Sequence, residues 1–61
     1  MELDAIEVKN GKTSFLFTAN TSEIKLMVKE AELSNTTVNV FNDSLWQIDF
    51  GKIELLFYKF N

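Results

Sequence analysis

The clearest alternation of apolar and polar residues lies near the end of the chain. Residues 46–50 read WQIDF, and after Gly51-Lys52 the segment 53–57 reads IELLF. A two-residue loop that starts with glycine is typical of a type II′ hairpin, because glycine readily takes the positive φ of the first turn position. This loop puts six large apolar side chains on one face of the hairpin. The predicted pairs are Phe50 with Ile53, Ile48 with Leu55, and Trp46 with Phe57.

A second hairpin is predicted over residues 4–18. Asn10-Gly11 favours a type I′ turn, because both residues tolerate positive φ. The apolar side chains of the two strands then share one face, and the other face is mostly polar. The predicted pairs are Lys9 with Lys12, Val8 with Thr13, Ile6 with Phe15, and Asp4 with Phe17.

The segment 22–33 has two possible structures. Asn20 with Glu23 three residues later resembles a capping box, which favours a helix. Apolar residues also recur at helical spacing, and most of the segment consists of strong helix formers. The spaced residues are Ile24, Met27, Val28 and Ala31, while Leu26 and Leu33 fall on the opposite face. We favour the helix, with a strand over the alternating residues 23–26 as the alternative.

The segment 36–41, TTVNVF, alternates and is rich in β-branched residues, so it predicts a strand. The sequence 42–44, NDS, is typical of a turn. A three-residue loop there places Val40 opposite Trp46 and Val38 opposite Ile48. A two-residue loop would turn both valines to the other face, so the hydrophobic pattern favours the longer loop.

These elements predict an α+β fold in one small domain over residues 1–61. A hairpin, a helix and a three-stranded meander form a small antiparallel sheet with the helix packed on it. The chain has no proline and no flexible linker that would divide it. The expected core residues are Ile6, Val8, Phe15, Phe17, Ile24, Met27, Val28, Val38, Val40, Trp46, Ile48, Phe50, Ile53, Leu55 and Phe57.

The pattern also leaves a second group of apolar residues on the opposite face of the C-terminal hairpin. This group comprises Leu45, Leu56, Tyr58 and Phe60. A cluster of this kind marks an interface, and we expect a homodimer to bury it. Because aromatic residues dominate interface energetics, Tyr58 and Phe60 are the expected contact residues. The alternative is a strongly twisted sheet whose helix covers parts of both faces.

Composition narrows the classes of function. The chain has no cysteine and no histidine, which removes disulfides, thiolate metal sites and the usual proton-transfer group. Its net charge is −3 and all six cations are lysine, so direct nucleic-acid binding is not expected. No apolar run approaches the roughly 20 residues of a membrane span, and the acidic start does not resemble a signal peptide. We therefore expect a cytoplasmic protein.

The only close carboxylate pair that the predicted registers produce is Asp49 with Glu54. Paired carboxylates can serve as general acid and base. On an outward face we instead expect them to be solvated, or bridged by Lys52 or by a partner's lysine. We expect no catalytic residue, no metal site and no cofactor, and so small a core leaves little room for a ligand pocket.

The length, the acidity and the expected small dimer resemble those of the small proteins that phages make to disable host enzymes or defence systems. Inhibitors of the Hachiman system, a nuclease–helicase pair, are an example. The resemblance implies a protein that binds a bacterial defence component and blocks it. Three alternatives remain: an accessory subunit that docks by a sheet edge into a larger assembly, a transcription-regulating or antitoxin-like protein, and an acidic mimic of DNA.

Overall fold

The computed structural model describes residues 1–60. They form five strands and one helix in the predicted order. The α+β fold is confirmed, since one helix packs on one face of a five-stranded sheet. The elements are β1 (Glu2–Lys9), β2 (Lys12–Ala19), α1 (Thr21–Leu33), β3 (Thr37–Asn42), β4 (Leu45–Asp49) and β5 (Ile53–Lys59).

The sheet is mixed, whereas an antiparallel sheet was predicted. Its strand order is β1-β2-β5-β4-β3, and β2 pairs with β5 in parallel. The difference arises because α1 carries the chain from β2 to the far edge of the sheet. The meander then returns toward the centre, and its last strand meets β2. The hairpin and the meander are each antiparallel, as predicted.

The N-terminal hairpin has the predicted turn, with positive φ of 53° at Asn10 and 77° at Gly11. Its register is confirmed from the turn as far as the pair of Ile6 with Phe15. Beyond a bulge, Leu3 rather than Asp4 lies opposite Phe17. The bulge keeps an apolar residue on the apolar face and turns the Asp4 carboxylate to accept a hydrogen bond from the Thr18 hydroxyl.

The meander has the predicted side-chain register but a different first loop. Val38 lies opposite Ile48 and Val40 lies opposite Trp46, as expected. The loop is a two-residue turn, and a bulge at position 41 supplies the extra residue that the hydrophobic pattern required. The Asn42 side-chain oxygen accepts from the Ser44 N–H at 2.7 Å, which stabilises the turn.

The C-terminal hairpin is confirmed in turn and register. Gly51 has a φ of 94°, and the Phe50 N–H donates to the Ile53 carbonyl at 2.8 Å. Trp46 lies opposite Phe57, and two residues further along Ile48 lies opposite Leu55.

Residues 21–33 are helical, so the strand alternative is wrong. The capping box is present, with the Asn20 side chain accepting from the Glu23 N–H at 2.8 Å and the Glu23 carboxylate accepting from the Asn20 N–H at 3.0 Å. At the other end, Asn35 takes a left-handed φ of 56°, and the Thr36 N–H donates to the Ala31 carbonyl. This is the Schellman arrangement that ends many helices.

The core lies between α1 and the sheet, on what we call the helix side. Phe57 is fully buried, and its ring stacks on that of Phe17 with centroids 5.3 Å apart. The buried apolar residues are Ala19, Ile24, Ala31, Ile48 and Phe57. Six half-buried residues pack against them: Phe17, Met27, Val28, Val38, Trp46 and Leu55.

Five residues that were expected in the core are instead exposed. They are Ile6, Val8, Val40, Phe50 and Ile53. Four strand spacings of about 4.8 Å make the sheet about 19 Å wide, whereas a helix with its side chains is about 10–12 Å across. The helix packs on β3, β4 and β5, so Ile6 and Val8 of β1 lie beyond its reach, whereas Phe17 and Ala19 at the end of β2 still join the core.

Candidate functional site

The face of the sheet opposite α1, the open side, carries a continuous row of polar side chains. The Asn39 side-chain amide donates to the Gln47 oxygen at 2.8 Å, and the Gln47 amide donates to the Glu54 carboxylate. The Ser14 hydroxyl donates to the second Glu54 oxygen at 2.5 Å. Asn39 lies directly opposite Gln47, and Ser14 lies directly opposite Glu54. Gln47 reaches Glu54 diagonally, because its direct partner on β5 is Leu56. We call this row the polar ladder.

The predicted carboxylate pair exists at the end of β4, where Asp49 lies directly opposite Glu54. The lysine that bridges it is Lys12 of β2, and not Lys52 as expected. The Lys12 ammonium lies 3.0 Å from an Asp49 oxygen and 4.0 Å from a Glu54 oxygen. The parallel pairing of β2 with β5 brings Lys12 to this position, and an antiparallel sheet did not predict that pairing.

The surroundings of Asp49 keep its side chain charged. The Gly51 N–H and then the Lys12 ammonium donate to the carboxylate, and together they hold the pKa of Asp49 below its ordinary value. A carboxyl group with a lowered pKa is a weak base near neutral pH and carries no proton to give. Asp49 and Lys12 therefore form an ion pair that links β4 to β2.

The apolar group predicted as an interface lies at the other end of the open side. Leu45 and Tyr58 are directly opposed on β4 and β5, and Leu56 follows on the same face of β5. Phe60 lies just past β5, where its N–H donates to the Ala19 carbonyl at 3.3 Å. Leu45 and Leu56 are half-buried, whereas Tyr58 and Phe60 are exposed. We call these four residues the open-side cluster.

A larger apolar surface lies on the helix side, beyond the reach of α1. Its members come from the N-terminal hairpin and from the turn between β4 and β5. We call this surface the hairpin patch. It comprises Leu3, Ile6, Val8, Phe50 and Ile53, whose exposed fractions run from 43% to 73%.

The strand registers explain why these side chains are neighbours. Val8 lies opposite Thr13, which lies opposite Ile53, so one row crosses β1, β2 and β5. The next row begins with Ile6 and Phe15 and ends at the half-buried Leu55. Val8 and Ile6, at the β1 end of these rows, are the most exposed members, since α1 packs on β3, β4 and β5. The patch is therefore one continuous surface beside the core.

Alternation predicted the face of four of these residues, all except Leu3, but it did not predict their exposure. Their alternation is the same as that of the buried residues on β4 and β5, so alternation alone assigns both groups to a core. The number of predicted helices and strands could have indicated this exposure. One predicted helix is too narrow to cover five predicted strands, which requires an uncovered apolar strip on one half of the sheet.

The fold also forms an open groove of about 300 Å³ along one flank of α1, despite the small core. Its lining residues are Thr21, Ile24, Lys25, Val28, Glu32 and Trp46. Over residues 1–60, no three acidic side chains come together as a metal-binding group. In the same part of the chain, α1 is too short and too polar to cross a membrane.

The fold and these surfaces define a small α+β domain whose prominent features are exposed apolar residues. Compared with known proteins, the chain matches no family model, and no curated protein or experimental structure is significantly similar to it.

Proposed function

We propose that this protein is a non-catalytic protein-binding module that inhibits a bacterial enzyme, of the kind that phages use against host defence systems. The contact surface is the hairpin patch. The observation that supports this proposal is the exposure of five large apolar side chains next to each other, in a domain that has few apolar residues to spare. Exposed apolar patches of this kind are typical of protein interaction sites.

The surroundings of the hairpin patch suit a protein partner. Glu7 and Lys9 alternate with Ile6 and Val8 and therefore point to the opposite face of β1, so they place no charge among the side chains of the patch. An apolar centre with few charged residues is typical of a protein interface. The strands beneath the patch are held by hydrogen bonds on both sides of β2, so the surface is largely formed before the partner binds.

The open side of the sheet gives less support to a role in protein binding than the hairpin patch does. The residues of its polar ladder bond one another, and its carboxylate pair is bridged by Lys12. A DNA mimic needs rows of free carboxylates, and the bonded carboxylates of this arrangement do not form such rows. The open-side cluster remains a predicted contact surface, with Tyr58 and Phe60 as its exposed members.

Charge favours one class of partner. The chain carries a net charge of −3 and is attracted to basic surfaces. Enzymes that act on nucleic acid carry such surfaces around their substrate channels. A defence nuclease or helicase, which the resemblance also implies, therefore fits the charge and the apolar patch together.

The experiment compares two lysine substitutions at exposed apolar positions. Val8→Lys places a charge inside the hairpin patch, and Leu26→Lys places the same charge on the outward face of α1, where Leu26 is also exposed. Each tagged protein is expressed in bacteria that carry a Hachiman-type system. Copurifying proteins are identified, and the plating efficiency of a sensitive phage is measured.

We expect the wild type and Leu26→Lys to retain a stoichiometric nuclease or helicase and to raise phage plating. Val8→Lys should lose both effects while keeping the circular dichroism spectrum of the fold. Retention of the same partner by Val8→Lys would exclude the hairpin patch as the contact surface. Unchanged plating with all three proteins would exclude this defence system as the target.

A further inference from the structure

The two edges of the sheet differ in charge. β1, at one edge, contains Glu2, Asp4, Glu7 and Lys9, and a bulge interrupts it. Charges and bulges of this kind prevent an edge strand from pairing with another chain. β3, at the other edge, has the sequence TVNVFN and carries no charge. Its only interruption is the bulge at Phe41, near its end.

The uncharged edge is also compatible with a second copy of itself. Two chains of net charge −3 repel each other, and pairing along β1 would bring further acidic groups together. Pairing along β3 places no charged side chain opposite another. We propose that the protein forms a two-fold symmetric dimer in which the β3 strands of two copies pair antiparallel and join the two sheets into one.

The side-chain pattern selects the register of this pairing. Directly opposed residues must share a face, so Val38 and Val40, which both lie on the helix side, can oppose only residues of that side. Centring the two-fold axis on Asn39 pairs Val38 of each copy with Val40 of the other. Every valine of the two strands then has a valine partner. Shifting the axis to Val38 would leave each Val40 opposite Thr36.

The surfaces next to β3 continue across this axis on both faces. On the helix side, Val40 is 61% exposed and lies opposite Trp46, which lines the groove beside α1. Pairing brings Val38 of the second copy against Val40 and extends the apolar surface of that groove. On the open side, Asn39 is the outer end of the polar ladder, so the axis brings the ends of two ladders together.

The test uses the absence of cysteine from the natural chain. Asn39→Cys places a single thiol on the proposed axis, where the two copies have Cβ atoms about 4.5–5.5 Å apart. This is near the distance that a disulfide requires, about 3.5–4.5 Å. Val40→Cys lies off the axis by one residue on the same strand, and Val8→Cys places an exposed thiol on the β1 edge.

We expect Asn39→Cys to form a disulfide-linked dimer under mild oxidation at least roughly tenfold faster than the other two variants, because only it is opposed to itself. Equal rates for all three would show random collision and overturn the proposed pairing. Fastest linkage of Val40→Cys would overturn the register.

A second measurement does not depend on crosslinking. Light scattering on the wild type should show a dimer that dissociates on dilution, because a single short edge makes a small interface. Val40→Lys should shift the protein to monomer, whereas Val8→Lys should leave the mass unchanged. A wild type that stays monomeric at several hundred micromolar, or a Val40→Lys dimer, would overturn the proposal. Because Val8→Lys tests partner capture and Val40→Lys tests self-association, this inference and the proposed function can fail separately.

Discussion

The two halves of the helix side share an alternation of apolar and polar residues but differ in burial. On β4 and β5, Ile48 and Phe57 are almost completely buried beneath α1. On β1, Ile6 and Val8 alternate with polar residues in the same manner, yet they are 56% and 73% exposed. Both hairpins have two-residue turns that contain a positive-φ glycine. The difference is set by which strands the helix covers.

This comparison shows that alternation and burial are separate properties. Alternation determines which face of a strand is apolar, because successive side chains point to opposite faces. Burial depends on whether another element reaches that face. A helix of 13 residues is about 20 Å long, shorter than an eight-residue strand of about 26 Å, and its width covers only about half of the sheet.

The largest expected difference between the halves is in stability. Phe57→Ala removes a fully buried ring that stacks on Phe17, which should cost about 3–5 kcal/mol. A domain of this size has roughly 3–5 kcal/mol of stability, so the variant should be largely unfolded. Val8→Ala, on the uncovered half, should cost at most about 0.5 kcal/mol. Urea unfolding followed by the fluorescence of Trp46 measures both.

Equal costs for the two substitutions would contradict the comparison. A large cost for Val8→Ala would mean that another surface covers Val8 in solution. Repeating the urea unfolding at several protein concentrations shows whether a second copy covers Val8. If it does, the free-energy cost of Val8→Ala depends on protein concentration.

Hydrogen exchange should show the same contrast along the backbone. The amides that bond β4 to β5 lie beneath α1, and we expect them to exchange only on global unfolding. The amides that bond β1 to β2 lie under the uncovered half and should exchange roughly tenfold faster or more, through local opening. Mass spectrometry of peptic fragments from 1–19 and 45–59 resolves the two groups. Identical protection would mean that the sheet opens as a single unit.

Most of the fold could be predicted from local chemistry. The Asn10-Gly11 turn, the capping box of Asn20 with Glu23, and the Gly51 turn each involve neighbouring residues, and all three are present. Registers close to these turns were also right. The bulges were missed because they depend on which side chain finds a partner across the strands, as Asp4 does with Thr18.

The parallel pairing of β2 with β5 could not be predicted from turns, because a helix and two strands separate the paired residues. The bridging role of Lys12 was missed for the same reason, since Lys12 meets Asp49 only through that pairing. The hairpin patch was missed for a different reason. Four of its residues, all except Leu3, were correctly placed on the core face, and alternation does not measure how much of that face a single helix covers.

A smaller effect is expected at the start of α1, the element that separates the halves. Asn20→Ala removes the oxygen that accepts from the Glu23 N–H, and caps of this kind are worth about 1 kcal/mol. Asn20→Asp keeps that acceptor and is the matched control. Urea unfolding should show the loss with alanine and little change with aspartate. An equal loss in both variants would assign the effect to the loop and not to the cap.

The smallest effect concerns the ion pair that joins the two halves on the open side. Lys12 belongs to the uncovered hairpin and Asp49 to the covered meander, and their atoms lie 3.0 Å apart. The pKa of Asp49 is lowered in the folded protein, first by the Gly51 N–H and then by Lys12. A carboxyl group with a lowered pKa stabilises the fold above its ordinary pKa, and this contribution is lost as the pH falls through the folded value.

Asp49→Asn should therefore reduce stability slightly near neutral pH, and the difference from the wild type should begin to shrink as the pH falls below about 4. Asp43→Asn, the control, removes the same charge from the turn after β3, where no lysine among residues 1–60 lies within ion-pair distance. Urea midpoints between pH 3 and pH 7 provide the measurement. If both variants show the same pH dependence, the effect comes from net charge. If only Asp49→Asn changes with pH, the effect comes from the groups that bond Asp49, the Gly51 N–H first and then Lys12.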